Sequence, residues 1–333
     1  MNRRSLLAVV TAATLALAGC GTASASNDKN DKNGKVDLST VTLRVGDQKG
    51  TGAQALLTAA GLLEGTQYKI TWATFTSGPP MLQAVGAGSV DIGGVGNAPP
   101  VFAASAGSKI MAVGALRANP RGSAILVPDS SPLTDVAQLK GKRIAVAQGS
   151  SAHYHLLTVL QKLGLSIKDV TVVNLQPADA LSAFTSGHVD AWDVWAPYIE
   201  QAVAQAHGRV LVDGTGYGSP YSFTIAARSA VGDPGKSAAI RDYLSRLAKA
   251  HVWVNAHPDA WAKVWAQGTG LPEDVMRKAA DDSASTAVPI DYTVLSSEQS
   301  VADAFRTAGL IPAPVTFSDF AVKTFNDTVG GAS

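Results

Sequence analysis

Apolar residues alternate with polar ones at Val41, Leu43 and Val45, the two-residue period of a half-buried strand. A glycine-bearing loop over 46–52 then leads into a helical pattern over 53–64. The plan continues with strand-like runs at 68–75, 90–95 and 109–116. Between them lie helical patterns, one through Met81, Leu82 and Val85 opened by Ser77-Gly78-Pro79-Pro80, the other over 101–106 after Gly96-Asn97-Ala98-Pro99. Strands alternating with helices predict a parallel α/β sheet.

Further along, the pattern returns. Gln48, Leu56, Leu57 and Thr58 recur as Gln148, Leu156, Leu157 and Thr158. With one residue deleted, Leu82, Ala84, Gly88, Val90 and Asp91 recur as Leu181, Ala183, Gly187, Val189 and Asp190, so a Gly-x-Val-Asp block follows the same helix twice. Two lobes of one design are expected. Short apolar strands at 124–128 and 221–227 bracket the second copy as crossovers, which gives lobe I as 40–125 plus 221–333 and lobe II as 126–220. Segments 234–267 and 272–281 read as helices with Pro near their first turns. Two such lobes joined by double crossovers enclose a cleft that can hinge shut on a small ligand.

The first forty residues carry an address. Arg3 and Arg4 precede an apolar run over 6–18 that is shorter than the roughly 20 residues of a membrane span. Leu17-Ala18-Gly19-Cys20 resembles a bacterial lipobox, so 1–19 is read as a lipoprotein signal peptide and Cys20 as the lipidated new N-terminus. An ordinary signal peptide with an incidental cysteine is the alternative, and the Arg pair leaves Sec or twin-arginine export open. Residues 20–39 are small and polar and read as a flexible, lipid-anchored tether. The expected location is outside the cytoplasmic membrane.

Composition narrows the function. Of 333 residues, 46% are hydrophobic, which excludes a disordered chain; 27 Lys+Arg against 26 Asp+Glu leave a net charge of +1, without the basic excess of a nucleic-acid binder. One cysteine forms no internal disulfide. Four loops of small or hydroxyl residues each precede a helix: Gln48-Lys49-Gly50-Thr51-Gly52, Ser77-Gly78-Pro79, Gly96-Asn97-Ala98-Pro99 and Gln148-Gly149-Ser150-Ser151. Unpaired N–H groups of helix first turns, with serine and threonine hydroxyls, make an oxyanion receptor that needs no dedicated cation. Lys49, Arg117 and Arg121 are candidate cationic helpers.

Other motifs fare less well. Gly50-x-Gly52-x-x-Ala55 has the spacing of a dinucleotide fingerprint, but Thr74 and Phe75 stand where an acidic residue should end the next strand, so no cofactor is expected. His153 and His155 do not share a helix face and have no third ligand near, so no metal is expected. Trp261 and Trp265, four apart, read as core packing with Trp253. Trp192 and Trp195, two residues intervening, point to opposite faces of an extended segment, so at most one need face the cleft, where an indole would offer an apolar wall and a donor.

The stretches Leu43-Arg44-Val45-Gly46-Asp47-Gln48-Lys49-Gly50, Ser77-Gly78-Pro79-Pro80-Met81-Leu82, Gly96-Asn97-Ala98-Pro99-Pro100, Gln148-Gly149-Ser150-Ser151-Ala152-His153 and the run from Asp190 to Tyr198 resemble the periplasmic aliphatic-sulfonate-binding proteins of ABC importers. The likeness runs from about residue 41 to 230 and thins beyond. It implies a type II periplasmic-binding-protein fold, a non-enzymatic monomer that closes on an alkanesulfonate, and delivery to a membrane permease with a cytoplasmic ATPase for sulfur acquisition. Carried over by that likeness, the site comprises Gln48, Gly50, Thr51, Gly78, Pro79, Asn97, Ala98, Ser150, Ser151, His153 and Trp192. The family often has Asp where Asn97 stands, which implies a weaker preference for taurine than for sulfonates with uncharged tails. Another oxoanion, or a taurine-, nitrate- or thiamine-precursor-type ligand, is the alternative within the class. A secreted hydrolase using Ser151 and His153 is the alternative outside it.

Overall fold

The computed structural model describes residues 36–50 and 52–329. Cys20, the signal segment and most of the expected tether lie outside them, as does Thr51. The first part of the chain forms β1 (Thr42–Gln48), α1 (Ala53–Ala59), β2 (Lys69–Phe75), α2 (Gly78–Gly86), β3 (Ile92–Val95), α3 (Ala98–Ser105) and β4 (Ile110–Ala118). Next come β5 (Ser123–Pro128), β6 (Arg143–Val146), α4 (Ser151–Lys162), β7 (Thr171–Asn174), α5 (Pro177–Thr185), β8 (Ala191–Trp195), α6 (Tyr198–Gln205) and β9 (Gly208–Asp213). The chain ends with β10 (Tyr221–Ala227), α7 (Arg228–Gly232), α8 (Pro234–Ala256), α9 (Pro258–Thr269), α10 (Glu273–Asp282), β11 (Ser285–Val288) and α11 (Tyr292–Thr307).

Two sheets result, ordered β11-β4-β10-β3-β1-β2 and β7-β6-β8-β5-β9. β1 runs parallel to β2 and β3, and β6 runs parallel to β7 and β8. Each sheet also takes antiparallel strands: β10 runs against β3 and β4 and β11 against β4 in the first, and β5 runs against β8 and β9 in the second. The chain therefore crosses between sheets at 119–122 and again at 214–220, whereas the sequence reading divides it at 125/126 and 220/221.

The alternation in β1 has its physical counterpart in Leu43 and Val45, both fully buried. Gly46 and Gly93 leave a hollow for Met81 of α2: a Cβ on either would stand 2.6 and 2.7 Å, respectively, from its sulfur. That close fit fixes α2 over the sheet and aims its N-terminus at the strand ends. The internal repeat is matched by a repeated device. Asp91 accepts the Arg44 backbone N–H at 2.9 Å and its guanidinium at 2.6 Å; Asp190 accepts the same two groups of Arg143 at 2.8 Å each.

Two expectations change. The helix expected over 53–64 stops at Ala59, because Gly61 and Gly65 take positive φ and turn the chain away. β11 follows no alternating pattern, and it forms as an edge strand on β4. Among the described residues no helix is long and apolar enough to cross a membrane.

Candidate ligand cleft

The lobes meet. Thr76 and Ser77 of lobe I donate their hydroxyls to the Gln176 side-chain oxygen of lobe II, at 2.9 and 2.7 Å, and Tyr198 donates its hydroxyl to the Lys49 carbonyl at 3.2 Å. Between them lies a cleft of about 310 Å³, lined from lobe I by Gln48 and Gly78, from lobe II by Ser150, Ser151 and Trp195, and at the crossover by Ser123. Four of the expected site residues, Gln48, Gly78, Ser150 and Ser151, therefore converge.

Their donors are unequal. Ser150 caps α4 by accepting the His153 N–H at 3.4 Å, which leaves the Ser151 and Ala152 N–H groups in the first turn without helical acceptors. Prolines fill the second and third positions of α2 and α3, so each first turn keeps only one early N–H, from Gly78 and Ala98 respectively. Pro79 thus has no donor to give and serves to start the helix. Ala98 is fully buried and does not line the cleft. At α1 the expected receptor is already occupied: the Asp47 carboxylate accepts the N–H groups of Ala53 at 2.8 Å and Gln54 at 3.2 Å. Burial pushes the Asp47 carboxyl up, and these backbone donors oppose the shift. Of these junctions, α4 keeps the most first-turn N–H groups without helical acceptors.

The remaining expected residues sit elsewhere. Gly50, at φ +88°, accepts the Trp265 indole N–H and faces Pro197 across the lobe contact, where a Cβ would come within 3.4 Å. Asn97 lines a neighbouring chamber of about 110 Å³ beside the crossover, donating to the Ser219 carbonyl at 3.3 Å. This chamber shares Gly96, Ser123 and Ser151 with the cleft, and the carboxylate in the cleft wall is Asp47. His153 is 1% exposed and packs against Phe102 and Phe305 of lobe I. Its Nδ1 accepts the Gly149 N–H at 3.2 Å, and burial lowers its pKa to about 4. It is a neutral wedge between the lobes, and the Ser151–His153 pair a hydrolase would need is not formed.

Trp192 is not a cleft residue. Its indole lies in the lobe II core between Phe184 and Tyr198, with ring centroids 6.1 and 6.4 Å away, while Trp195 on the opposite face lines the cleft. Three further wall residues, Trp261, Trp265 and His251, come from the C-terminal helices. Trp261 and Trp265 are buried, as their spacing implies, but they also form the apolar side of the cleft. No lysine or arginine lines it among the described residues; Arg121 pairs with Asp282 at 2.9 Å instead, and Lys49 and Arg117 are exposed.

Two α/β lobes, exchanged strands and a shared anion-ready cleft define the two-lobed periplasmic-binding-protein architecture. The NMT1-like family matches residues 38–267, and the chain belongs to it. It is similar to the alkanesulfonate-binding protein SsuA of Xanthomonas axonopodis pv. citri, solved bound to MOPS, at 35% identity and TM-score 0.79 over 84% of this chain and 98% of that one. The periplasmic aliphatic sulphonate binding protein SsuA of Escherichia coli is 36% identical, with TM-score 0.74 over 84% of this chain and 91% of its own. The desulfurization enzyme DSZB, at 18% identity and TM-score 0.61 over 88% of this chain and 99% of its own, shares the fold alone.

Proposed function

We propose that this chain is an extracytoplasmic binding lipoprotein, anchored through Cys20, that captures alkanesulfonates and presents them to the permease of an ABC importer driven by a cytoplasmic ATPase, for sulfur acquisition. One observation carries the reading: the cleft joins a cation-free end of backbone N–H groups and hydroxyls at α4 to an apolar wall of tryptophans. That combination suits an anion with an organic tail, and the likeness to two SsuA proteins supports it. A ligand touching both lobes stabilises the closed form by its differential affinity for that form. Capture rather than catalysis fits the engagement of His153 Nδ1 by the Gly149 N–H instead of by Ser151.

Titration calorimetry of the full-length protein in detergent, against hexanesulfonate, ethanesulfonate, taurine, sulfate and nitrate, tests this. One-to-one binding of organic sulfonates with little response to sulfate or nitrate is expected. Silence toward every organic sulfonate would refute it. Mass spectrometry of the protein from its membrane should find diacylglyceryl on Cys20.

A further inference from the structure

α8 presents Leu247, His251 and Val254 to the cleft, a stripe at helical spacing, and α9 presents Trp261 and Trp265 beside it. The two indoles lie 5.5 Å apart at 30°, and the Trp265 N–H is already engaged by Gly50, so Trp265 meets the cleft as an apolar ring. Within this wall stands one polar pair. His251 Nδ1 lies 3.0 Å from Ser285 Oγ, and both residues line the cleft. The pair is held from behind: Asn255 donates to the Ser285 carbonyl at 2.9 Å, and the Asn119 N–H donates to the Ala284 carbonyl at 2.8 Å. Because Ser285 engages Nδ1, Nε2 is the ring atom left for a partner in the cleft.

Burial lowers the His251 pKa to about 4, so the ring is neutral at pH 7 and offers a hydrogen bond but no charge to an anion. Its neighbours in the wall, Leu247, Val254, Trp261 and Trp265, are apolar and suit a tail. Size agrees: about 310 Å³ falls in the range of clefts that take ring-sized organic ligands, more than a two-carbon sulfonate needs. A rigid ring occupies such a slot at less entropic cost than a flexible chain, and it stacks on indoles.

Resting on the sulfonate reading above, we infer that the His251–Ser285 pair is a tail-recognition site, and that the preferred ligands are ring-bearing sulfonates with a hydrogen-bonding group, such as a hydroxyl, opposite the sulfonate. A polar group in an apolar wall discriminates strongly against a tail that leaves it unpaired.

The test compares 4-hydroxybenzenesulfonate with its near-isostere 4-methylbenzenesulfonate, and uses hexanesulfonate as reference, by calorimetry on the full-length protein. The wild type should prefer the hydroxyl ligand at least tenfold. His251→Leu should abolish that preference and Ser285→Ala should reduce it several-fold, with circular dichroism confirming that each variant is folded. Equal affinities in the wild type, or a preference that survives both substitutions, would overturn the inference. Binding of hexanesulfonate without either arylsulfonate would also overturn it and leave the sulfonate reading standing. Failure of all three ligands would remove both.

Discussion

Gly96 of lobe I faces Ser151 of lobe II with no room for a side chain between them: a Cβ at position 96 would stand 2.7 Å from both Ser151 Cβ and Oγ. The lobes can approach this closely only because the residue is glycine. Gly96→Ala should prop the cleft open, weakening sulfonate binding tenfold or more in calorimetry. The ligand-free melting temperature should move little, since neither lobe core is touched.

Ser150 and Ser151 should separate by their effects. Ser150 caps α4, so Ser150→Ala should cost about 1 kcal/mol of stability as well as affinity, read by urea unfolding and calorimetry together. Ser151 makes no cap bond, so Ser151→Ala should weaken binding by about 0.5–1.5 kcal/mol with unfolding unchanged. Loss of an ester-hydrolysing activity in that variant would instead support an enzyme.

The two Arg–Asp clamps differ in burial, and their energetics should follow. Asp91 is 1% exposed and also accepts Lys236 at 2.7 Å, but the Arg44 and Lys236 charges it would leave behind reach solvent, so Asp91→Ala should cost about 1.5–3 kcal/mol in urea unfolding. Asp190 is a third exposed and Arg143 more so, so Asp190→Ala should cost markedly less than Asp91→Ala in the same measurement. Burial alone would raise the Asp91 pKa, but the hydrogen bonds of Arg44 and Lys236 outweigh it and hold it below the ordinary 3.8. The stability this pair gives is therefore full above that ordinary value and is lost as pH falls through the lower folded one.

His153 and His251 resist protonation in the folded chain. Both sit near 4 in the folded chain against an ordinary 6.5, because burial penalises the cation. Between those values the unfolded chain binds more protons, so the contribution of these two histidines to stability is level above pH 6.5 and falls as pH drops toward 4. Thermal melts across pH 4–8 should show this slope, and His153→Phe should flatten part of it.

The order of strands and helices was legible in the sequence because alternation and proline-opened helices are local signals. So was the Asp91/Asp190 repeat, although its arginine partners were not, since they meet only across paired strands. Period two placed Trp192 and Trp195 on opposite faces, but only the packing of Phe184 decides which face is core. Asp47 lies too far before α1 to read as its cap. The wall residues His251, Trp261 and Trp265 are remote from every glycine-rich loop and reach the cleft through helix packing, so their 3–4-residue spacing reads as ordinary core.

A cleft with no lysine or arginine in its wall among the described residues, in a chain of net charge +1, exerts little long-range pull on a passing anion. For a sulfonate held there, arrival is governed by diffusion and by how often the lobes stand apart, and no counterions leave the wall when it docks. Scavenging by such a receptor would proceed much the same in dilute and in saline surroundings, where an arginine-lined trap would slow as salt rose.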